Sequence, residues 1–410
     1  PISGPLVIWI QAARNLSVII PFSLASPETI INIMTQMKTD IVVSGGGIAG
    51  LGLGILLAGA GLDVHLIDAA PPSTKSPPSG RTVALMENSL NILKAANIWD
   101  AVKDHAAPLE IMRIIDDNSV AGRTEVDFHA DDIGLKQFGY NIPNNILRDA
   151  LYDAAKKTKR LSLHMPDALA AYEVHGAGVT AALKSGKNIS ASLIVGADGR
   201  NSMVRQISGI ECAEHDDKQS AITCLIAHSR SHNNTATEFH RPGGPLALVP
   251  MPGNISSVVW IEPSARADEF MRLKKNEFTQ ALQEQTKDIL GAIQLESNPE
   301  CWPLKTLKAK SLTAPRAVLM AEAAHVISPI TAQGLNLSLR DVAALAETLV
   351  DAARAGLDIG SASVLHRYER RRRVDINTRV FGVDGMNKIV SNDANAVKGL
   401  RRAVLKTLDH

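Results

Sequence analysis

The sequence predicts an α/β fold in which a parallel sheet is interrupted by a mixed β-sheet insert and followed by C-terminal helices. Three observations carry this prediction. A β-rich run, a glycine cluster and an apolar helical stretch follow one another between Thr39 and Ala60. Short β segments punctuated by Gly and Pro dominate residues 218–262. Helical patterns fill residues 264–286, 334–354 and 361–390. A chain of 410 residues is long enough for two or three domains and a sizeable core. Lys and Arg number 43 against 42 Asp and Glu, a net charge of +1, so no global field favours a nucleic-acid partner. Cys212, Cys224 and Cys301 are too scattered for a disulfide framework or a CxxC metal site. That spacing fits a reducing, cytoplasmic compartment and gives no metal site.

Residues 1–37 read as an extension outside the fold, with Met34 or Met37 as the expected start. The apolar stretch from Pro5 to Leu24 is interrupted by Arg14, Asn15 and Pro21, and a charge near the centre of a spanning helix costs about 2.5–3.5 kcal/mol. A membrane anchor and a targeting segment are the alternatives. Asp40–Ser44 then reads as a strand, Ile48–Ala60 as a helix and Val64–Asp68 as a second strand, the size of a βαβ crossover. Gly45-x-Gly47-x-x-Gly50 lies between the first strand and the helix, and Asp68 ends the second strand. In that context the pattern is a dinucleotide fingerprint and predicts a Rossmann-like domain. Gly45 permits the tight turn, Gly47 lets the backbone approach a pyrophosphate, and Gly50 allows close helix–strand packing. Ile48, Ala49 and Gly50 open a helix whose free N–H groups favour the phosphate charge. Asp68 is the expected acceptor for the adenosine ribose.

Two later segments extend this reading by resemblance. Val195-Gly196-Ala197-Asp198-Gly199-Arg200-Asn201-Ser202 resembles the GADG element of flavin-dependent aromatic hydroxylases of the para-hydroxybenzoate hydroxylase type. Val318 to Asp341 resembles their third element, GDAAH…P..GQG.N…D. Arg81–Leu85, Tyr140–Asn144, Thr235–Phe239, Gly244–Pro250 and Trp302–Leu304 are similar to segments of the hydroxylases of ubiquinone biosynthesis, in the same order. The resemblance runs from Thr39 to the last residues. It implies FAD as cofactor, NADPH or NADH as a transient reductant, and a monooxygenase that uses O2 to hydroxylate the aromatic ring of a prenylated phenol. The expected FAD-binding domain comprises residues 38–111, 145–206 and 306–360. The expected substrate domain comprises 112–144 and 207–305, and a helical region follows at 361–410.

Residue by residue, the resemblance implies that Arg81 contacts the flavin ribityl or pyrophosphate and that Asp198 and Gly199 lie near the pyrophosphate. Glu322 stands where relatives have an Asp on a ribityl hydroxyl. Pro329 would flank the isoalloxazine, and Gln333, Gly334, Leu335 and Asn336 would open a helix aimed at the flavin N1/C2 edge. Pro329, Gln333 and Gly334 are thus the catalytic expectations, because N–H groups and a positive helix end stabilise an anionic reduced flavin. Leu246, Leu248, Val249 and Trp260 are the expected substrate wall. His325 reads as a packed or hydrogen-bonded histidine rather than a base. Three departures stand out: Ala321-Glu322 replaces Gly-Asp, Ala332 replaces the Gly before Gln333, and Ser328 replaces a common His.

The segment from Ser361 to His410 carries eleven Lys/Arg against five Asp/Glu, including Arg370-Arg371-Arg372-Arg373. Such a run is either a face satisfied by water and acidic partners or a site of peripheral contact with an anionic inner-membrane surface. Other ubiquinone-biosynthesis proteins are further candidate partners. Hydroxylation of a soluble aromatic substrate, an FAD reductase without oxygen insertion, and a non-catalytic flavoprotein or scaffold remain the alternatives.

Overall fold

The structure is a computed structural model that describes residues 37–69, 80–116, 124–328 and 333–390, with side chains to residue 379. The extension expected at 1–37 lies outside the described residues up to 36. Met37 itself is a strand residue, pairing in parallel with Ile189. The longer helices in chain order are α1 (Ile48–Gly59), α2 (Glu87–Ala95), α3 (Asn144–Lys157), α4 (Met203–Ile207), α5 (Ser264–Met271), α6 (Lys275–Thr286), α7 (Gln333–Arg354) and α8 (Ala362–Val390).

A six-stranded sheet runs in the order Thr313–Ala314, Ala317–Leu319, Leu193–Gly196, Ile41–Ser44, Val64–Ile67 and Leu161–His164. All neighbours pair in parallel except the first two strands. Its central strands read IVVS and LIVG and are buried throughout, as expected where helices cover both faces of a parallel sheet. Nine of the twelve residues of α1 are buried. Gly52 and Gly54 weaken that helix by about 1 kcal/mol each relative to Ala, but Gly54 allows close packing: a Cβ there would meet the Leu161 side chain at 3.2 Å.

The second large element is a nine-stranded mixed sheet. Its main path runs His325–Val326, Glu300–Ala309, Cys212–His228, Ile255–Pro263, Leu246–Met251, Thr235–His240, Ile111–Asp116 and Thr124–His129. The short β segments expected over residues 218–262 include part of one strand of 17 residues, Cys212–His228. One face of the sheet is closed by α5 and α6 through Phe239, Trp260, Phe278 and Leu282. The expected domain boundaries are crossed at two places. Strand Gly139–Pro143 pairs with Thr82–Met86 in a separate three-stranded sheet. Strand Glu300–Ala309 carries the large sheet past residue 305 and pairs with His325–Val326.

The C-terminal helix is tied down by buried charge. Asp341 of α7 is fully buried, and its Oδ2 accepts from His325 Nε2 at 2.6 Å and from the Ala321 N–H at 2.9 Å. Its Oδ1 accepts from Arg372 Nε of α8 at 2.6 Å. The Tyr368 hydroxyl donates to the Leu319 carbonyl at 3.2 Å. Within the basic run, Arg372 is buried, Arg371 pairs with Glu347 at 2.5 Å and Arg373 with Glu369 at 2.7 Å, while Arg370 is exposed. Burial opposes ionisation of Asp341, but His325 and Arg372 outweigh it and hold the carboxyl below its usual range. Burial likewise opposes ionisation of Asp375, yet hydrogen bonds from Arg372 and Arg379 bring it down to about 2.

Both carboxyls have folded values below their unfolded ones. Their stabilisation is complete above the ordinary value of 3.8 and is lost as pH falls through the folded values, toward about 2 for Asp375. Thermal midpoints measured from pH 5 downward are expected to fall steeply in this window, and less steeply in Asp375→Asn. An equal acid slope in the variant would remove Asp375 from the account. Among the described residues, no helix is long and apolar enough to cross a membrane.

Candidate active site

The glycine turn is built as the spacing requires. Gly45 has φ +113°, and a Cβ there would overlap the Ala197 carbonyl. Gly50 approaches Gly45 so closely that a Cβ would overlap the Gly45 carbonyl oxygen. Gly47 is different: a Cβ there would meet nothing within 4 Å. It is the N-cap of α1, where no side chain caps the helix among the described residues and no acid occupies the first turn. Ile48, Ala49 and Gly50 thus present helix-start N–H groups beside open space. Asp68, at the end of the neighbouring strand, accepts from the Gly46 N–H at 2.5 Å through Oδ2, which fixes the carboxylate beside the turn.

Asp198 lies at the adjacent strand end. Its Oδ2 accepts from the N–H groups of Met203 and Val204 at 2.9 and 3.2 Å, while its buried Oδ1 has no partner among the described residues. Gly199 takes φ +78° in the turn that follows. A dinucleotide fits these features. The N–H groups and open space at Gly47 suit a pyrophosphate, Asp68 and Asp198 suit hydroxyl donors, and an orphaned buried oxygen is otherwise costly.

Arg81 immediately precedes strand Thr82–Met86, and its guanidinium carbon stands 4.7 Å from the Trp302 ring centroid. The preceding Gly80 packs so tightly that a Cβ would overlap the backbone of Cys224. Ser257 Oγ donates to the Gly80 carbonyl at 3.1 Å and lies 2.9 Å from Thr82 Oγ1. These contacts bring the start of strand Thr82–Met86 onto the central strands of the large sheet.

Gln333 and Gly334 form the start of α7, where Gln333 Oε1 accepts from Arg379 of α8. A Cβ on Gly334 would meet nothing within 4 Å. Leu335 packs against the main core. The Asn336 side chain is spent on structure: Oδ1 accepts from the Met86 N–H at 3.0 Å and Ser89 Oγ at 2.7 Å, and Nδ2 donates to the Ala84 carbonyl at 2.8 Å. Any cofactor contact by Asn336 therefore falls to its backbone. Pro329 and Ala332 lie outside the described residues. Glu322 is exposed on a single helical turn. Ala321 beside it takes φ +52°, a left-handed conformation that costs a residue with a Cβ about 1–2 kcal/mol. In Ala321→Gly, relief of that strain is offset by the roughly 0.4–1 kcal/mol that Gly adds to unfolded-chain entropy and by loss of a buried methyl worth about 0.8 kcal/mol, so the thermal midpoint is expected to change little. A clear fall would show that the turn is unstrained.

The expected substrate wall needs correction. Leu246, Leu248 and Trp260 belong to the core under α5 and α6, with the Trp260 ring 4.2 Å from Phe270. Strand side chains alternate, so only Val249 of the four lies on the opposite face. The register places Val249 beside Ser257, and Ala247 beside Val259 and then Thr223, on that same face. The strand pattern carried this signal: the bulky set fills the closed core, and the smaller set is left for the side that faces Gly80 and Thr82.

Comparison with known proteins fits this geometry. Residues 38–380 match the FAD binding domain family. The chain is 33% identical over 366 residues to the ubiquinone hydroxylase UbiL of Rhodospirillum rubrum, a match covering 88% of this chain and 84% of that protein. It is 30% identical over 372 residues to the 3-demethoxyubiquinol 3-hydroxylase of Escherichia coli, covering 90% and 94%. The chain belongs to the ubiquinone hydroxylase family of FAD-dependent monooxygenases. The fold is shared with PqsL of Pseudomonas aeruginosa in complex with 2-aminobenzoylacetate, at a TM-score of 0.76 and 19% identity over 87% of this chain and 97% of that one. It is also shared with the p-nitrophenol 4-monooxygenase PnpA of Pseudomonas putida, at a TM-score of 0.74 and 19% identity over 92% and 94%.

Proposed function

We propose that this protein hydroxylates the aromatic ring of a prenylated phenol in ubiquinone biosynthesis, using NAD(P)H and O2. The observation that carries the reading is the glycine turn with its open helix start at Gly47, set between Asp68 and the orphaned Asp198 oxygen at the ends of the parallel strands. Bound FAD supplies the chemistry, carrying electrons from NAD(P)H to O2 and an oxygen atom to the ring. The chain's own residues bind, orient and exclude water. Gly47 and the start of α1 hold the pyrophosphate, Asp68 the adenosine ribose, and Asp198, Arg81 and Glu322 the remainder of the cofactor. Gln333 and Gly334 bring the positive end of α7 to the flavin ring, with Arg379 holding the Gln333 side chain from behind. The small residues Ala247, Val249 and Val259 form an apolar wall from which water is excluded, the condition oxygen transfer requires.

A prenylated phenol is a membrane-resident molecule, so peripheral contact with a membrane surface goes with this reading. Of the Arg370–Arg373 run, Arg370, Arg371 and Arg373 are exposed and could face such a surface, while Arg372 is buried against Asp341. The test is mass spectrometry of a prenylphenol incubated with the flavin-loaded protein, NADPH and isotopically labelled O2. Gain of one labelled oxygen on the ring supports the function. NADPH consumption with unchanged phenol would make the protein a reductase instead.

A further inference from the structure

The wall described above ends in a polar pair that the proposed function leaves unused. Glu238 and His240 lie two residues apart on strand Thr235–His240, so both project from the face opposite α5 and α6, while Phe239 between them enters the helix-covered core. The register fixes their neighbours: Glu238 faces Ala247, Ala247 faces Val259, and Val259 faces Thr223. Glu238 and Thr223 are thus separated by three strand spacings, roughly 14 Å, across a floor made only of Ala247 and Val259. Ala247 and Val259 are both partly exposed, an apolar floor for a flat ring, while Gly80 packs on the Thr223–Cys224 backbone at the far end. The far rim of that floor is the edge where Arg81 stands over Trp302.

The pair is organised. His240 Nε2 and Glu238 Oε1 are 2.9 Å apart. The His240 side chain is 7% exposed and that of Glu238 28%, so the histidine is fixed and the carboxylate is the member that can be reached. One carboxylate oxygen is engaged by His240, which leaves the other to accept a hydroxyl proton from the wall side.

We propose that Glu238 is the substrate-binding residue that accepts the hydrogen bond of the phenol hydroxyl, with His240 as the positioning residue that holds its carboxylate. This inference rests on the phenol-hydroxylase reading and adds the group that orients the ring. A hydroxyl donating to a carboxylate makes a charge-assisted bond. A ligand that lacks the donor leaves the acceptor unpaired and is rejected. The pair therefore selects a free phenol over its ether.

The experiment uses the full chain loaded with FAD and follows the change in flavin absorption on titration with 2-prenylphenol and with its methyl ether. The wild-type protein is expected to bind the phenol at least about tenfold more tightly than the ether, the factor that about 1.4 kcal/mol provides. In Glu238→Ala the two ligands should bind within about twofold of one another with FAD content unchanged, and His240→Asn should give an intermediate ratio. Equal binding of phenol and ether by the wild-type protein, which needs no variant, would overturn the assignment while leaving the hydroxylase reading standing. So would a preference that survives in Glu238→Ala. Binding of neither probe would remove the substrate reading itself, and the assignment with it.

Discussion

Replacing Gly47 with Ala is expected to leave the chain folded and to lower its affinity for FAD by about 10- to 100-fold or more. The fold accommodates the substitution, since a Cβ at Gly47 meets nothing within 4 Å and the residue has an ordinary φ of −73°. What the methyl group occupies is the space in front of the α1 N–H groups. A phosphate displaced from them loses charge-assisted hydrogen bonds of about 1.5–3 kcal/mol each, and each 1.4 kcal/mol is about tenfold in affinity. Gly50→Ala provides the contrast. Its Cβ overlaps the Gly45 carbonyl, so the turn itself must move, and both stability and flavin binding fall. Thermal midpoints of the apo proteins and FAD titrations by fluorescence separate the two cases. Unchanged flavin affinity in Gly47→Ala would place the pyrophosphate elsewhere.

Arg372→Ala is expected to destabilise the protein by about 3–5 kcal/mol, the usual cost of removing one partner from a buried ion pair. Asp341, fully buried, would keep His325 and the Ala321 N–H but lose its link to α8. Arg371→Ala, whose pair with Glu347 is more than half exposed on both sides, is expected to cost less than about 1 kcal/mol. Denaturant or thermal unfolding of the two variants measures the difference. Similar losses in both would show that α8 is held by its helix surface rather than by the buried ion network.

The nucleotide-binding half was legible because its constraints are local. A turn that must bring two backbones together admits Gly45 and Gly50, and the strand–helix–strand alternation around them is short-range. His325 also followed its sequence reading, buried against Asp341. The substrate face was harder to read. An uninterrupted β pattern such as Leu246–Val249 shows that a strand exists, but which alternate set faces the helices depends on the partner strands and on where α5 and α6 dock. Three of the four expected wall residues consequently fell on the closed side. The run Arg370–Arg373 presents the same difficulty with charge: the sequence shows the arginines but not that Asp341, Glu347 and Glu369 meet them from other turns and helices. Glu238, held by His240, gained its significance only once the register placed it beside Ala247.

The central claim is that this fold holds FAD and delivers its electrons for the hydroxylation of a phenol. The most direct measurement is the absorption spectrum of the purified protein, followed by anaerobic reduction with NADPH and with NADH, each with and without a prenylphenol. The account predicts a bound flavin that is bleached by the reduced nicotinamide, and bleached faster when the phenol is present. Protein that stays colourless and takes up no added FAD would contradict it.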